Sequence, residues 1–484
     1  MTTAPRIAIV GAGFGGLGAA IRLRQAGCDD FLIFERAGAV GGVWRDNAYP
    51  GAACDVESHL YSYSFAPNPG WTRTFSPQPE IWAYLERCVR EFGLAPHLRF
   101  NHEVLAARWE AAAGRWQLET SQGPFTAQVL VLAPGALAEP ALPDLPGQER
   151  FTGPAFHSAR WPADLDLRGK AVAVVGTGAS AIQFVPALQP LVSRLALFQR
   201  TPPWVLPRVE RAIPAGQRRL FARWPITQRL LRLGLYAVRE ASVVAFQHPG
   251  LMRVLEGAAR RHLARAVADP DLRARLTPRY TIGCKRILLS NTYYPALIQP
   301  NVAVITAGVA EVRPRSIVDG SGAEWPAEAL IFGTGFRVTE FPFARRVRGR
   351  AGRTLAEVWA GSPQAHLGTT VAGFPNLFLL QGPNTGLGHT SVLLMLEAQL
   401  DHLLGALRYL EAAGAAAVEP RAEAQAAFVR AVDERMRGTV WVAGGCRSWY
   451  LDATGRNSTL WPGSTWSFRR RVARFNPREY QASG

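Results

Sequence analysis

Short apolar runs of four or five residues recur along the chain, each closed by glycine or by a charged residue. Between them, apolar positions return every three to four residues. The first run, Ile7-Ala-Ile-Val10, is followed by Gly11-Ala-Gly-Phe-Gly-Gly16, a helical stretch to about Ala26, and Phe31-Leu-Ile-Phe34 ending at Glu35. That order predicts strand, tight turn, helix and a second strand parallel to the first. It returns about 165 residues further on: an apolar run at 171–175, Gly176-Thr-Gly-Ala-Ser-Ala181, a helix to about Leu191, and 194–198 ending at Gln199-Arg200. No other internal repeat is visible.

Between the two units, 116–120 and 125–132 read as strands closing at Ala133-Pro-Gly135, before a proline-rich connector at 140–146. From 207 to 276 the pattern turns helical and rich in Arg, Leu and Ala, broken by Pro214, Pro225 and Pro249. Strand signals resume at 302–305 and 329–332, followed by Gly333-Thr-Gly-Phe336; a strand at 377–381 and a long helix from about 391 to 412 then return to the first unit. The expected fold is α/β, with two Rossmann-like dinucleotide-binding domains. The first is assigned residues 1–149 and 336–484, the second 150–335, with a helical insertion at about 207–280.

At 484 residues two or three domains are expected, and the 48% apolar content supplies their cores. The net charge of +17 raises the question of nucleic acid, but the arginines are spread along the chain without a basic tail, and Lys170 and Lys285 are its two lysines. Solvated helix faces and sites for anionic cofactors account for the charge better. Cys28, Cys54, Cys88, Cys284 and Cys446 show no CxxC spacing, so no metal knuckle, dithiol centre or disulfide framework is expected, and a reducing cytoplasm fits. Neither a signal peptide nor a membrane span is predicted; the longest apolar stretch, 233–246, carries Arg239 and Glu240 and reads as a helix that is soluble or rests on a surface. Peripheral membrane contact through the basic insertion stays open, as does monomer or homodimer.

In such a unit the first glycine makes the turn, the second admits the pyrophosphate and the third lets helix and strand pack. Gly11, Gly13 and Gly16 fill these places in the first unit, and Glu35 suits a ribose with a free 2'-hydroxyl, as in FAD or NAD. In the second unit Gly176, Gly178 and Ala181 take them, with Ser180 beside the turn. Its second strand ends in Arg200-Thr201 without an acid, which suits the 2'-phosphate of NADP. One chain with both endings points to FAD plus NADPH.

Phe151-Thr-Gly-Pro-Ala-Phe-His157-Ser-Ala-Arg-Trp161-Pro162 resembles the FxGxxxHxxxW(P) fingerprint of type I Baeyer-Villiger monooxygenases, matched at Phe151, Gly153, His157, Trp161 and Pro162. Similarity extends over nearly the whole chain. Gly41-Gly-Val-Trp44, Tyr49-Pro-Gly-Ala-Ala-Cys-Asp55 and Tyr61-Ser-Tyr-Ser-Phe65 are similar to flavin-side segments of that family, and Gly382-Pro-Asn384-Thr385 to its flavin-proximal loop. Gly283-Cys-Lys-Arg286 followed by Tyr293-Tyr294 is similar to the stretch bearing its active-site arginine, and Ser448-Trp449-Tyr450 to a C-terminal segment that folds over NADP. The resemblance implies Arg286 as catalytic arginine and Asp55 as the acid that orients it. It further implies Lys285 and Arg200 on the 2'-phosphate and Trp449 near the nicotinamide. Trp44, Val104 and Asn384 complete the cofactor-binding candidates, and no metal is expected. The implied reaction takes a ketone and O2 to an ester or lactone through an anionic flavin peroxide, held by a cation that cannot lose its charge. His157 is not assigned proton transfer.

Three positions depart from the family pattern: Ala133-Pro-Gly135 in place of Ala-Thr-Gly, Val43 in place of Thr, and Ala53 in place of Arg. Rival readings are an oxygenase of amines or sulfides, against which Trp161 and Arg286 count, an NADPH-dependent flavin reductase or oxidase, and a noncatalytic nucleotide-binding or membrane-surface protein.

Overall fold

Runs such as Ile7–Val10 and Val129–Leu132 carry no polar side chain, a composition that suits strands covered on both faces. In the computed structural model, which describes residues 6–483, they lie in a five-stranded all-parallel sheet. Its order is Leu377–Leu379, Val129–Leu132, Ile7–Val10, Phe31–Phe34, Leu98–Arg99. A second all-parallel sheet runs Val302–Ile305, Arg194–Phe198, Ala171–Val175, Ala329–Phe332, Ala155–His157. In both, the strand that feeds a glycine turn is central, flanked by the second strand of its unit and by a late strand closing the unit. Helix Val392–Ala412 is buried along most of its length and packs on helix Phe14–Gln25, covering the first sheet.

The two turns are built alike. Gly11 N–H donates to Phe34 O at 2.8 Å and Gly176 N–H to Phe198 O at 3.0 Å; Ala133 N–H donates to Val10 O at 2.9 Å and Gly333 N–H to Val175 O at 2.8 Å. Gly11 and Gly176 have φ of +99° and +108°, and a Cβ on either would stand 2.4 Å from a carbonyl oxygen, that of Ala133 or Gly333. Only glycine meets both demands.

Some boundaries differ from those expected. The run 125–132 is two strands: Gly123–Ala127 belongs to a mixed four-stranded sheet, and Val129–Leu132 to the parallel one. At the switch between them, the Gln128 amide donates to Ala416 O at 3.0 Å. The helix after the second turn, Ala181–Leu188, stops before Leu191 because Pro190 follows its C-cap residue, Gln189. The helical insertion comprises Ala215–Arg223, Pro225–Ala241, Val243–Gln247, Met252–Ala266 and Pro270–Leu276. Among the described residues no helix is long and apolar enough to cross a membrane.

One expectation is overturned. Cys284 and Cys446 form a disulfide across 162 residues, leaving Cys28, Cys54 and Cys88 free. Spacing along the sequence carried no sign of it because the partners meet only where the C-terminal segment returns over the insertion, with Thr281 N–H donating to Gly444 O at 3.0 Å. A crosslink closing so long a loop constrains the unfolded chain, so reductant is expected to lower the wild-type stability by about 2–4 kcal/mol. Thermal melts with and without reductant check this, and a Cys284→Ser/Cys446→Ser double variant is expected to melt at the lower temperature in both.

Candidate active site

The two glycine turns face a common cavity of about 1190 Å³, larger than the roughly 300–1,000 Å³ typical of a single-ligand pocket. Gly11, Gly13, Glu35 and Trp44 line it from the first unit, with Val104 at the start of strand Val104–Glu110 of the mixed sheet. The Glu35 carboxylate ends the second strand and accepts from Ala12 N–H at 2.9 Å and Ala37 N–H at 3.0 Å, while Arg45 pairs with it at 3.2 Å. It is thereby fixed beside the turn. Trp44 Nε1–H donates to the Tyr61 hydroxyl at 3.0 Å, which sets the indole against the wall.

Gly176, Gly178, Ser180 and Thr201 line the opposite side. The position equivalent to Glu35 is Gln199, whose side chain turns away to donate to Arg275 O at 2.9 Å, so no acid faces the turn and Arg200 stands exposed on the wall. Lys285 lies close enough to Arg200 that, after burial, the arginine's charge is the second cause lowering its pKa. Among the described residues neither cation has an acidic partner. Two unneutralised cations at one wall make a site for a doubly charged anion.

Where the units meet, Arg286 Nε donates to Asp55 Oδ2 at 2.5 Å and Nη2 to Oδ1 at 2.8 Å, a bidentate pair facing the cavity. Burial alone would raise the Asp55 carboxyl; the charge and hydrogen bonds of Arg286 outweigh it, and Arg208 adds to them, so its pKa lies below the ordinary value. Arg286 is raised, first by the charge of Asp55 and against burial, so it stays protonated at every working pH. The segment holding Asp55 is clamped to the second unit. Gln183 accepts from the Tyr49 hydroxyl at 3.0 Å and donates to Ala53 O at 3.0 Å, and Arg208 donates to Cys54 O at 3.2 Å. Neither Gln183 nor Arg208 was a sequence candidate: each is a single polar residue in a helix or loop, with no motif around it.

Trp449 lines the cavity, half exposed against buried Tyr450 at 4.3 Å between ring centroids. Other candidates sit behind the wall. Gly16 packs the first helix on its strand, since a Cβ there would stand 1.8 Å from Gly11 O. Asn384 does not face the cavity: its amide donates to Asn457 O at 2.8 Å and Leu460 O at 3.0 Å and its oxygen accepts from Arg456, tying the 382–385 loop to the C-terminal segment. None of the five fingerprint residues reaches the cavity either. Gly153 passes so near Glu328 O that a Cβ would lie at 2.1 Å, Phe151 packs beside the second sheet, Trp161 packs on Phe156 and Phe184, and Pro162 is exposed. His157 Nδ1 accepts from Ala159 N–H at 3.1 Å and its ring lies edge-on to Phe336, at the crossing between units. Burial pushes its pKa down to about 4, so the ring is neutral near pH 7.

The chain is 55% identical over 478 residues to a Baeyer-Villiger monooxygenase of Streptomyces coelicolor, covering 98% of this chain and 92% of that one. It is 50% identical to another of Pseudomonas aeruginosa, covering 98% and 91%. The chain belongs to the Baeyer-Villiger monooxygenases. A family profile described as pyridine nucleotide-disulphide oxidoreductase matches residues 8–210. Among solved structures, a closed form of cyclohexanone monooxygenase matches with a TM-score of 0.89 at 27% identity over 99% of both chains. An oxidised steroid monooxygenase bound to NADP matches with 0.87 at 31% identity over 100% of both. A third structure, OTEMO complexed with FAD and NADP, matches with 0.89 at 26% identity over 99% of both.

In this monooxygenase the Asp55–Arg286 pair carries a pH signature. A carboxyl with a lowered folded-state pKa contributes stability that is full above its unfolded value, about 3.9, and is lost as pH falls through the folded value. Denaturation of wild type against Asp55→Asn is expected to show a constant advantage from neutrality down to about pH 4, shrinking below it. Its size is expected to stay under the roughly 3–5 kcal/mol of a fully buried pair, because the two side chains keep 29% and 30% exposure toward the cavity.

Proposed function

We propose that this monooxygenase uses FAD and NADPH to insert one oxygen atom beside the carbonyl carbon of a ketone, giving an ester or lactone. Ketone, O2, NADPH and a proton yield the product, NADP+ and water. The observation that carries the reading is the bidentate Asp55–Arg286 pair at the junction of two dinucleotide cradles facing one cavity. The residues present fit both groups: Gly11 and Gly13 at one turn and Gly176 and Gly178 at the other present bare backbone to the cavity, and Glu35 stands at the first turn while Arg200 and Lys285 stand at the second. We assign residues 1–149 and 336–484 to the FAD domain and 150–335 to the NADP domain, with the insertion at about 207–280.

Gly11, Gly13 and the first amides of helix Phe14–Gln25 would hold the FAD pyrophosphate, Glu35 its ribose and Trp44 its flavin side. Gly176, Gly178 and Ser180 would hold the NADP pyrophosphate, Thr201 would stand beside its ribose, Arg200 and Lys285 would take its 2'-phosphate, and Trp449 would cover its nicotinamide. Bound FAD would accept hydride from NADPH, activate O2 and deliver the oxygen. Arg286 would supply a fixed positive charge where negative charge develops on the ketone oxygen, and Asp55 would keep the guanidinium aimed. His157 is assigned no proton transfer and would transmit movement between domains. A cytoplasmic monomer or homodimer is the setting we assign, on the sequence alone, since the Cys284–Cys446 disulfide removes the cysteine argument for it.

Turnover with a panel of ketones under oxygen-18 gas tests the reading. One labelled oxygen in an ester or lactone is expected, whereas peroxide release without product at every ketone would return the chain to an oxidase or reductase role. Arg286→Ala is expected to cut ester formation by at least about 10²-fold, the scale of losing one oriented charge-stabilising group, with Arg286→Lys recovering little because lysine lacks the bidentate fork. Product chromatography reads both variants. Arg200→Ala and Lys285→Ala are each expected to raise KM for NADPH by about tenfold, roughly 1.4 kcal/mol, while KM for NADH stays within about twofold.

A further inference from the structure

Helix Pro225–Ala241 is amphipathic in the inverted sense: its polar side faces the protein. Gln228 donates to Asn68 O at 2.7 Å, Arg232 to His59 O at 2.5 Å and Ser62 O at 3.0 Å, and Arg239 pairs with Glu57. Glu240 accepts from the Thr465 hydroxyl at 2.7 Å and Trp466 N–H at 2.9 Å. Leu235 and Tyr236 pack against the core beside these polar groups, while a second apolar row is left facing water. Ile226, Leu230 and Leu233 are 57, 61 and 60% exposed, and Ala237 and Ala241 continue the same three-to-four-residue spacing. Leu220 and Trp224 extend the row at its start, and exposed Trp466 stands at its far end beside Glu240. At 1.5 Å per residue the helix gives this row a length of roughly 25 Å. Scattered single apolar residues are ordinary on a surface, but a helical row with polar partners spent on the inside is a face.

Charge around the row has one sign. From 211 to 265 the chain carries eleven arginines and two acids, Glu240 and Glu256. Both acids are turned into the protein, Glu240 as above and Glu256 onto Ile282 N–H at 3.1 Å. Arg219, Arg223, Arg229, Arg253, Arg260 and Arg261 are exposed, and among the described residues none makes an ion pair.

We propose that this face docks on an anionic lipid bilayer, with Ile226, Leu230 and Leu233 entering the headgroup boundary, Trp224 and Trp466 flanking them, and the outer arginines meeting lipid phosphates. A basic helix with an apolar stripe and edge tryptophans is built for such an interface. A second copy of the chain is the poorer occupant, because face-to-face pairing would bring two sets of unpaired arginines together. The proposal does not depend on the reaction assigned above: its readout is binding, and none of the row's residues lines the cavity.

Flotation of the purified protein with vesicles of neutral phosphatidylcholine, and of phosphatidylcholine carrying about one-third phosphatidylglycerol, tests it. At moderate salt, binding to the anionic vesicles is expected to exceed that to neutral ones at least about tenfold, the effect of a few arginines near the surface. Leu230→Glu/Leu233→Glu is expected to lose most of that binding, and Arg219→Gln/Arg223→Gln/Arg229→Gln to lower it, with melting temperature and ketone turnover unchanged in both. Absence of binding to anionic vesicles overturns the proposal. So does binding that ignores Leu230→Glu/Leu233→Glu, which would be no more than attraction of a basic chain to charge. A dimer in sedimentation that this variant dissolves, without vesicle binding, would give the face to a second copy and overturn it equally.

Discussion

The two charges of Asp55 and Arg286, brought together from 231 residues apart, set the condition on which the site depends. Removing a carboxylate and a guanidinium from water is costly, and the pair repays that cost only when both hydrogen bonds of the fork are made. The fork closes only if the 49–55 segment lies flat on the second unit. Gln183 and Arg208 enforce that docking by spending their polar groups on Tyr49, Ala53 and Cys54. The pair is a poor device for stability and a good one for geometry: it assembles a fixed positive charge at the one place where both cradles open.

The two cradles are one solution used twice. A central strand, a positive-φ glycine and a closing strand whose next backbone N–H returns to the last residue of that central strand recur with nearly the same distances. Besides Ala181 in the place of Gly16, what separates them is the residue that ends the second strand. Glu35 bends back to the turn amides and presents a carboxylate; its counterpart Gln199 turns to Arg275 O and leaves the following Arg200 to face the cavity. A shared backbone thus presents a carboxylate at the end of one turn's second strand and a guanidinium at the other's.

Much of this was readable in the chain before any coordinates, for a physical reason. Glycine turns, parallel strands and a helix packed on them are local, and their demands on residue type appear at fixed spacing. Asp55, Arg286, Lys285 and Trp449 were legible only through resemblance, because the contacts that unite them span hundreds of residues and leave no periodic trace. The reading failed where a residue's neighbours in space decide its work. Asn384 anchors the C-terminal segment instead of facing the cavity, and Cys284 finds Cys446. All three departing residues, Val43, Ala53 and Pro134, line the cavity.

That disulfide has a position that bears on the cavity as a whole. It joins the segment carrying Lys285 and Arg286 to the one carrying Trp449 and Tyr450. Tyr450, fully buried, lies near enough to Arg286 for each to shift the other's pKa, so the two segments already share an electrostatic contact. A covalent link on the same two segments restricts how far the C-terminal wall can swing from the arginine. Arg456 and Asn384 hold that wall to the 382–385 loop on its other side. The C-terminal segment is therefore tethered at both flanks, once to each dinucleotide unit. An opening that swings this wall away from both attachments would bend the chain between Cys446 and Arg456, the stretch that contains Trp449.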